Sequence, residues 1–310
     1  SVSQSVSRPL GERVARDASC ACLKIVSLLR WFPGSAFSKL LYGLISRDKG
    51  AAMADSQFKD HFSQVAADYA SYRPSYPQKL ADVLAELSPA QDRALDCACG
   101  TGQLSVLLAK RFKEVIATDG SADQIAQAQP QEGVSYRTAL ADNSGLADNS
   151  VDLITVAQAA HWLDLGPFYA EVQRIARPDA LLALITYGVL HVEGEVDSVM
   201  QHFYYETIGA YWPPERRHVE EGYRSLAFPF QELSLPPLAM EVDWSLPQLL
   251  GYIRTWSAVK AAEKALGASP LSAVEVELRK QWGDPDQRRR ISWPLSVRAG
   301  RVWKQALGGA

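Results

Sequence analysis

Between Phe58 and Ala85, apolar residues recur at helical spacing on either side of "YRPSYP". Pro74 and Pro77 must end one helix there and start another, because neither supplies the amide a helix interior needs. Past this elbow the period changes. "RALDCAC" is a short apolar run of buried-strand type, "QLSVLLAKRF" returns to helical spacing with Leu104, Leu107 and Leu108 on one face, and "EVIATD" is a second strand. "SADQIAQAQ" opens with Ser121 as a helix N-cap, and "VSYRTAL" and "VDLITVAQ" are strands three and four. "LGPFYAEVQRIA" is a helix stopped by Pro178, and "LLALITYG" is strand five. Strand and helix thus alternate from Ala94 to Gly188. This predicts a parallel sheet wound with helices on both faces, whose strand C-termini share one ligand-binding edge.

After Gly188 the chain turns to aromatic-rich, proline-punctuated segments, "HFYYETIGAYWPPERRHVEEGY", "FPFQEL" and "MEVDWSLPQLLGYIRTWSAV". They predict a mostly helical cap inserted before a last hairpin of "MEVDWS" with "ISWPLSVRAGRVWKQ". The expected organisation is an N-terminal extension over residues 1–52, a helical lid over 53–90, a ligand-binding core over 91–190, and cap plus closing strands over 191–310.

Composition narrows the classes. A chain of 310 residues, 47% hydrophobic and with a formal net charge of −3, can bury a full core but offers no basic face to a phosphate backbone, so no nucleic-acid partner is expected. The charge is uneven. Residues 1–52 carry Arg8, Arg13, Arg16, Lys24, Arg30, Lys39, Arg47 and Lys49 against Glu12, Asp17 and Asp48. Their apolar piece "CLKIVSLLRWFPG" is too short and too charged to span a bilayer. Three readings of the segment stand: sequence fused upstream of a protein that starts at Met53, an organelle-type presequence, or an amphipathic surface arm. Cys20, Cys22, Cys97 and Cys99 form two C-x-C pairs without the C-x-x-C spacing of zinc or thioredoxin sites, and a reducing cytoplasm is the expected compartment. His61, His161, His191, His202 and His218 show no metal-binding spacing, so no metal is expected.

The candidate chemistry lies in "LDCACGTGQLSVLLAKRFKEVIATDG". Gly100 and Gly102 sit where a strand turns into a helix, and lack of a Cβ lets backbone approach a ligand. A dinucleotide fingerprint would need glycine at Ser105, and a P-loop would need Lys-Ser/Thr where Gln103-Leu104 stands. Asp96, four positions before Gly100, would repel a phosphate and favour an ammonium or a sulfonium. Asp119, ending strand two, can accept hydrogen bonds from two ribose hydroxyls. Together these residues describe a pocket for S-adenosyl-L-methionine.

"LDCACGTGQ", "VIATDGSADQI" and "LADNSVDLITVAQAAHWLD", with "YRPSYP", "YWPPERR", "GYRSLAFPF" and "GYIRTWSAV", resemble the class I S-adenosylmethionine-dependent methyltransferases, in the small-molecule group that includes trans-aconitate methyltransferase-like proteins. The resemblance runs from Phe58 to Trp303. It implies an α/β, Rossmann-like, doubly wound and mostly parallel seven-stranded sheet with an inserted helical cap. It also implies Asp96, Gly100 and Gly102 at the methionine end of the cofactor, Asp119 on the ribose, Ala141 and Asp142 at the adenine edge, and Gln158 beside the methyl group, with Gln103 a further cofactor-binding candidate. The one departure in the turn is Ala98, where the family more often has glycine.

For catalysis, a carboxylate acceptor needs no general base. His161-Trp162 is either a packing pair at a helix start or the acceptor site itself, with Trp162 as a wall and His161 as hydrogen-bond partner or base. Tyr69, Tyr72 and Arg73 could form a lid over the cofactor. Arg216, Arg217 and Arg254 stand among Tyr211, Trp212, Tyr223, Tyr252 and Trp256, company that suits planar carboxylates, with Arg216 and Arg254 as substrate-binding candidates. The alternative is that Arg216 and Arg217 merely pair with Glu215, Glu220 and Glu221. The expected activity is O-methylation of a small di- or tricarboxylic acid by a monomer or weak dimer. Methylation of a larger apolar metabolite such as a quinone or lipid, or cofactor binding without catalysis, are the alternatives.

Overall fold

The computed structural model describes residues 74–303. The extension over 1–52, the first helix of the elbow, and the lid candidates Tyr69, Tyr72 and Arg73 lie outside the described residues. Helix α1 (Gln78–Leu87) starts directly after Pro77, as the proline spacing requires. Leu80, Ala81, Leu84 and Ala85 fall on one face and are fully buried against Leu104, Leu108, Leu181 and Ile185. This end of the expected 53–90 lid is therefore a core helix fixed on the sheet.

Strands β1 (Arg93–Cys97), β2 (Glu114–Asp119), β3 (Val134–Thr138), β4 (Val151–Ala157) and β5 (Ala176–Tyr187) run parallel in the order β3-β2-β1-β4-β5. In β1, β2 and β4 nearly every residue is buried without alternation, the consequence of helices covering both faces. The first crossover is shorter than its pattern predicts. Helix α2 spans only Ser105–Leu108, with bonds from Leu107 N–H to the Leu104 carbonyl and from Lys110 N–H to that of Leu107 tightening the turns on either side. Leu104 and Leu108 are buried all the same. Ser121 caps α3 (Ala122–Ala126) by accepting from Gln124 N–H at 3.3 Å. Helix α4 (Leu165–Ile175) stops before Pro178, since the residue preceding a proline resists the α conformation. β5 begins at once, and a bulge opposite Val151–Leu153 absorbs the irregular start.

The sheet is closed by β9 (Arg289–Arg301), antiparallel to its neighbours. Leu295–Arg301 pairs with β5, while Arg289–Pro294 pairs with β8 (Ala239–Trp244). Two short strands, β6 (His191–Val192) and β7 (Gln231–Leu233), also lie against β9, so the seven-stranded path β3-β2-β1-β4-β5-β9-β6 carries two additional strands. Pro294, which has no amide to donate, falls where β9 changes partners.

β8 and β9 pair as expected, but not as a hairpin. Helices α7 (Leu246–Arg254), α8 (Ser257–Leu266) and α9 (Leu271–Trp282) lie between them in the chain, so half of the cap is inserted within the pair and not before it. The other half comprises α5 (Val196–His202), a π-helical turn (Phe203–Thr207) and α6 (Arg216–Glu220). Phe203, Trp244, Trp282 and Trp293 pack with Leu246, Leu250 and Ile253 in the cap's own core. Among the described residues no helix is long and apolar enough to cross a membrane.

Candidate active site

β1 has β2 on one side and β4 on the other, so chain connections diverge there and the strand ends leave a crevice at the switch point. The turn after β1 is left-handed at Ala98 (φ 55°), Gly100 (φ 58°) and Gly102 (φ 86°). An added Cβ on Gly100 would have as nearest neighbour Gln124 Oε1 at 3.8 Å, so that side is open to a ligand. Gly102 differs: an added Cβ would collide with the Tyr136 hydroxyl. The glycine admits the close approach of a β3 side chain beside the turn, and sequence reasoning missed Tyr136 because the contact crosses from β3 to the turn after β1.

Ala98 adopts the conformation for which the family's glycine is suited. A left-handed non-glycine residue costs about 1–2 kcal/mol, partly offset by its stiffer unfolded chain. Ala98→Gly is therefore expected to raise stability by about 1 kcal/mol, read as a higher denaturation midpoint at unchanged slope.

Asp119 clasps two loops. Its Oδ2 accepts from Gly100 N–H at 2.9 Å and its Oδ1 from Ser121 N–H at 2.8 Å. Each oxygen keeps acceptor capacity for a further donor. Asp96 is enclosed, accepting from Ser105 Oγ at 2.6 Å and Thr155 Oγ1 at 2.9 Å. Burial pushes its pKa up to about 6, the two hydroxyls oppose the shift, and the Asp119 charge adds to it. Asp96 thus lends charge from behind the turn. Between the ordinary carboxylate value and about 6 the folded protein holds a proton that the unfolded chain has lost, so Asp96 costs stability as pH rises through that window. A cation bound at the turn favours the ionised form. S-adenosylmethionine affinity is expected to rise as pH increases through 6, with proton release visible by calorimetry in buffers of different ionisation enthalpy.

The loop after β3 joins this edge where Ala139 N–H donates to the Asp119 carbonyl at 3.0 Å. Leu140 is 62% exposed beside Gly120, Ala141 is half-buried and Asp142 exposed. Buried Glu171 on α4 holds the loop, accepting from both Ser144 N–H (2.9 Å) and Ser144 Oγ (2.6 Å). Leu140 and Glu171 were not singled out in the sequence; an exposed leucine and a helical glutamate carry no local signal.

After β4, Gln158 is left-handed (φ 57°) and half-buried. Its Nε2 donates to the Tyr187 carbonyl at 3.1 Å, and its Oε1 accepts from the Thr186 hydroxyl. The 3₁₀ turn Ala160–Trp162 follows, with Trp162 44% exposed and its ring 4.8 Å from that of His161. His161 Nδ1 lies 2.9 Å from the Tyr223 hydroxyl. Burial, and then the charges of His218 and Arg216, hold the His161 pKa down at about 4, so the ring is neutral at pH 7. Gln103 is half-buried on the turn after β1.

The arginines separate. Arg216 is half-buried, donates from Nε to Tyr204 Oη at 2.7 Å, and stacks its guanidinium 5.0 Å from the Trp212 ring. Its charge acts on both His161 and Tyr223, which ties it to the edge after β4. Arg217 pairs with Glu221 at 3.3 Å on the surface. Arg254 is 59% exposed, 3.7 Å from Glu275 of α9, and is not drawn into the Arg216 cluster. Its place one residue past the buried Ile253 turns it to solvent. Among the described residues no histidine, cysteine and carboxylate group could hold a metal.

These residues fit S-adenosylmethionine. Asp119 has acceptor capacity for ribose hydroxyls, Leu140 offers apolar surface for an adenine, the open side of Gly100 admits the methionine end, and buried Asp96 supplies negative charge for a cation.

Residues 95–184 match the family described as Methyltransferase domain. A protein of Dictyostelium discoideum provisionally named a methyltransferase is 34% identical over 235 residues, which are 74% of this chain and 89% of that one. The solved structure of a provisionally named type II methyltransferase from Anaeromyxobacter dehalogenans is 47% identical, with a TM-score of 0.73 over 75% of this chain and 99% of its own. A malonyl-[acyl-carrier protein] O-methyltransferase of Pectobacterium atrosepticum is 35% identical over 107 residues, 33% of this chain and 42% of that protein. With these likenesses over the sheet that carries Asp96, Asp119 and the glycine turn, the chain belongs to the S-adenosylmethionine-dependent methyltransferases of class I, Rossmann-like fold.

Proposed function

We propose that this methyltransferase methylates a carboxylate oxygen of a small di- or tricarboxylic acid. The observation that carries the reading is Arg216: a half-buried guanidinium against Tyr204 and Trp212, in a cleft of about 250 Å³, with no carboxylate at ion-pair distance among the described residues. Such a group suits a planar carboxylate.

Bound S-adenosylmethionine supplies a methyl carbon on a sulfonium leaving group, so an in-line lone pair suffices. Asp119 would hold the ribose, and Gly100 and Asp96 the methionine end. Arg216 would draw the acceptor in and orient it, and Trp162 would wall it from water. His161, with its pKa near 4, is a weak base at pH 7, a poor match for a hydroxyl acceptor and no handicap for a carboxylate that has no proton to lose. The Pectobacterium relative, named for a malonyl acceptor, supports carboxylate chemistry within the family.

The second reading, a larger apolar acceptor, is favoured by the exposure of Trp162. A radiolabelled methyl-transfer screen of di- and tricarboxylic acids beside quinone and lipid acceptors separates the two. Label only in apolar products would overturn the carboxylate reading, and label in none would favour a protein that binds the cofactor without catalysis.

A further inference from the structure

We infer that the acid accepted by this enzyme carries a hydrogen-bond donor, a hydroxyl or an ammonium group, a few atoms from the carboxylate that Arg216 holds, and that Glu220 receives this donor. Glu220 thereby selects substituted acids over plain ones of the same carbon skeleton. The inference rests on the carboxylate reading of the same cleft.

Two opposite charges stand in one cleft without neutralising each other. Arg216 and Glu220 begin and end α6, and both line the cleft that Tyr204, Tyr205 and Trp212 surround. Four positions apart on a helix they are neighbours, but an arginine that precedes its glutamate is in the weaker order for a pair. Among the described residues they form no direct ion pair. The Tyr204 hydroxyl lies between them instead, accepting from Arg216 Nε at 2.7 Å and donating to Glu220 Oε1 at 2.7 Å. Both directions are fixed, because a guanidinium can only donate and a carboxylate can only accept.

One side of each charged group is left for a ligand. Among the described residues the two terminal nitrogens of Arg216 and the second oxygen of Glu220 make no hydrogen bond, so the first can meet a carboxylate and the second a donor. A pair that served only the fold would bring its charges together. Here a buried tyrosine holds them one hydroxyl apart. Tyr204 is 1% exposed and is set in place by the π-helical turn, which Ile208 N–H closes onto the Phe203 carbonyl at 3.0 Å. Such turns interrupt regular helix and are frequent at functional sites. This one buries Phe203 and Tyr204 in succession and leaves Tyr205 exposed at the cleft. A second carboxylate set against Glu220 would meet a like charge, whereas a hydroxyl or ammonium meets an acceptor.

Radiolabelled methyl transfer to acids matched in carbon skeleton tests the inference: succinate against malate and aspartate, glutarate against 2-hydroxyglutarate and glutamate, and tricarballylate against citrate. The label counted is the base-labile fraction, since mild alkali cleaves a methyl ester and leaves an N-methyl or ether methyl intact. A hydroxy or amino member is expected to exceed its plain counterpart in kcat/KM by about tenfold or more, and which of the two does so identifies the donor. In Glu220→Gln the amide oxygen still accepts from Tyr204, while an NH2 group stands where the second oxygen was. That variant is expected to bring substituted and plain acids within about twofold of each other. Plain acids labelled as fast as substituted ones by the wild type, or a Glu220→Gln loss shared equally by every acid, would overturn the inference and leave the carboxylate reading in place. Base-labile label in none of the acids would overturn both.

Discussion

Replacing Asp119 with alanine is expected to weaken S-adenosylmethionine binding by about 2–4 kcal/mol, because the two charge-assisted hydrogen bonds proposed to the ribose would be lost together. That corresponds to roughly a 30- to 700-fold increase in Kd. The structure adds a second loss. The same carboxylate accepts from Gly100 and Ser121 N–H, so the variant also leaves two main-chain donors of the cofactor loops without their acceptor. A fall in stability of about 1–3 kcal/mol is expected alongside. Calorimetry at a temperature where the variant is folded separates the two effects, and an unaltered affinity there would remove Asp119 from the cofactor site.

Arg216→Ala is expected to lower kcat/KM for a carboxylate acceptor by roughly 10- to 150-fold, the value of a lost charge-assisted hydrogen bond, while cofactor affinity stays as in the wild type. Lysine should not restore it. The Nε bond to Tyr204 and the stacking on Trp212 both use the guanidinium plane, which an ammonium lacks. Arg254→Ala is the control, since an exposed ion pair contributes about 1 kcal/mol or less. Equal losses in the two alanine variants, or none at Arg216, would move the acceptor elsewhere.

The parallel sheet was legible because β1, β2 and β4 are mostly apolar short runs that lead into turn residues, a pattern set within each segment. Ser121 as a cap and Asp119 at a strand end were legible for the same local reason. What escaped depends on contacts between distant segments. The neighbour of Gly102 is one case: Tyr136 comes against it from β3, a strand more than 30 positions further along the chain. Arg216 and Arg254 share the same aromatic company in sequence, and only the packing of α7 against α9 turns one of them outward. Tyr223 lies 62 positions from His161, with nothing between them to announce the bond. The helices within the β8–β9 pair escaped because aromatic spacing reports burial, not the order in which strands pair.

β9 has a consequence for how the molecule comes apart. One continuous strand of 13 residues serves the cap at its start, through β8, and the parallel sheet at its end, through β5. Melting the cap alone would strip β9 of half its ladder while the other half stayed bonded. The two regions should accordingly behave as one cooperative unit, and the amides of Ile291 and Ala299, on opposite sides of Pro294, should exchange with solvent at closely similar rates governed by global opening.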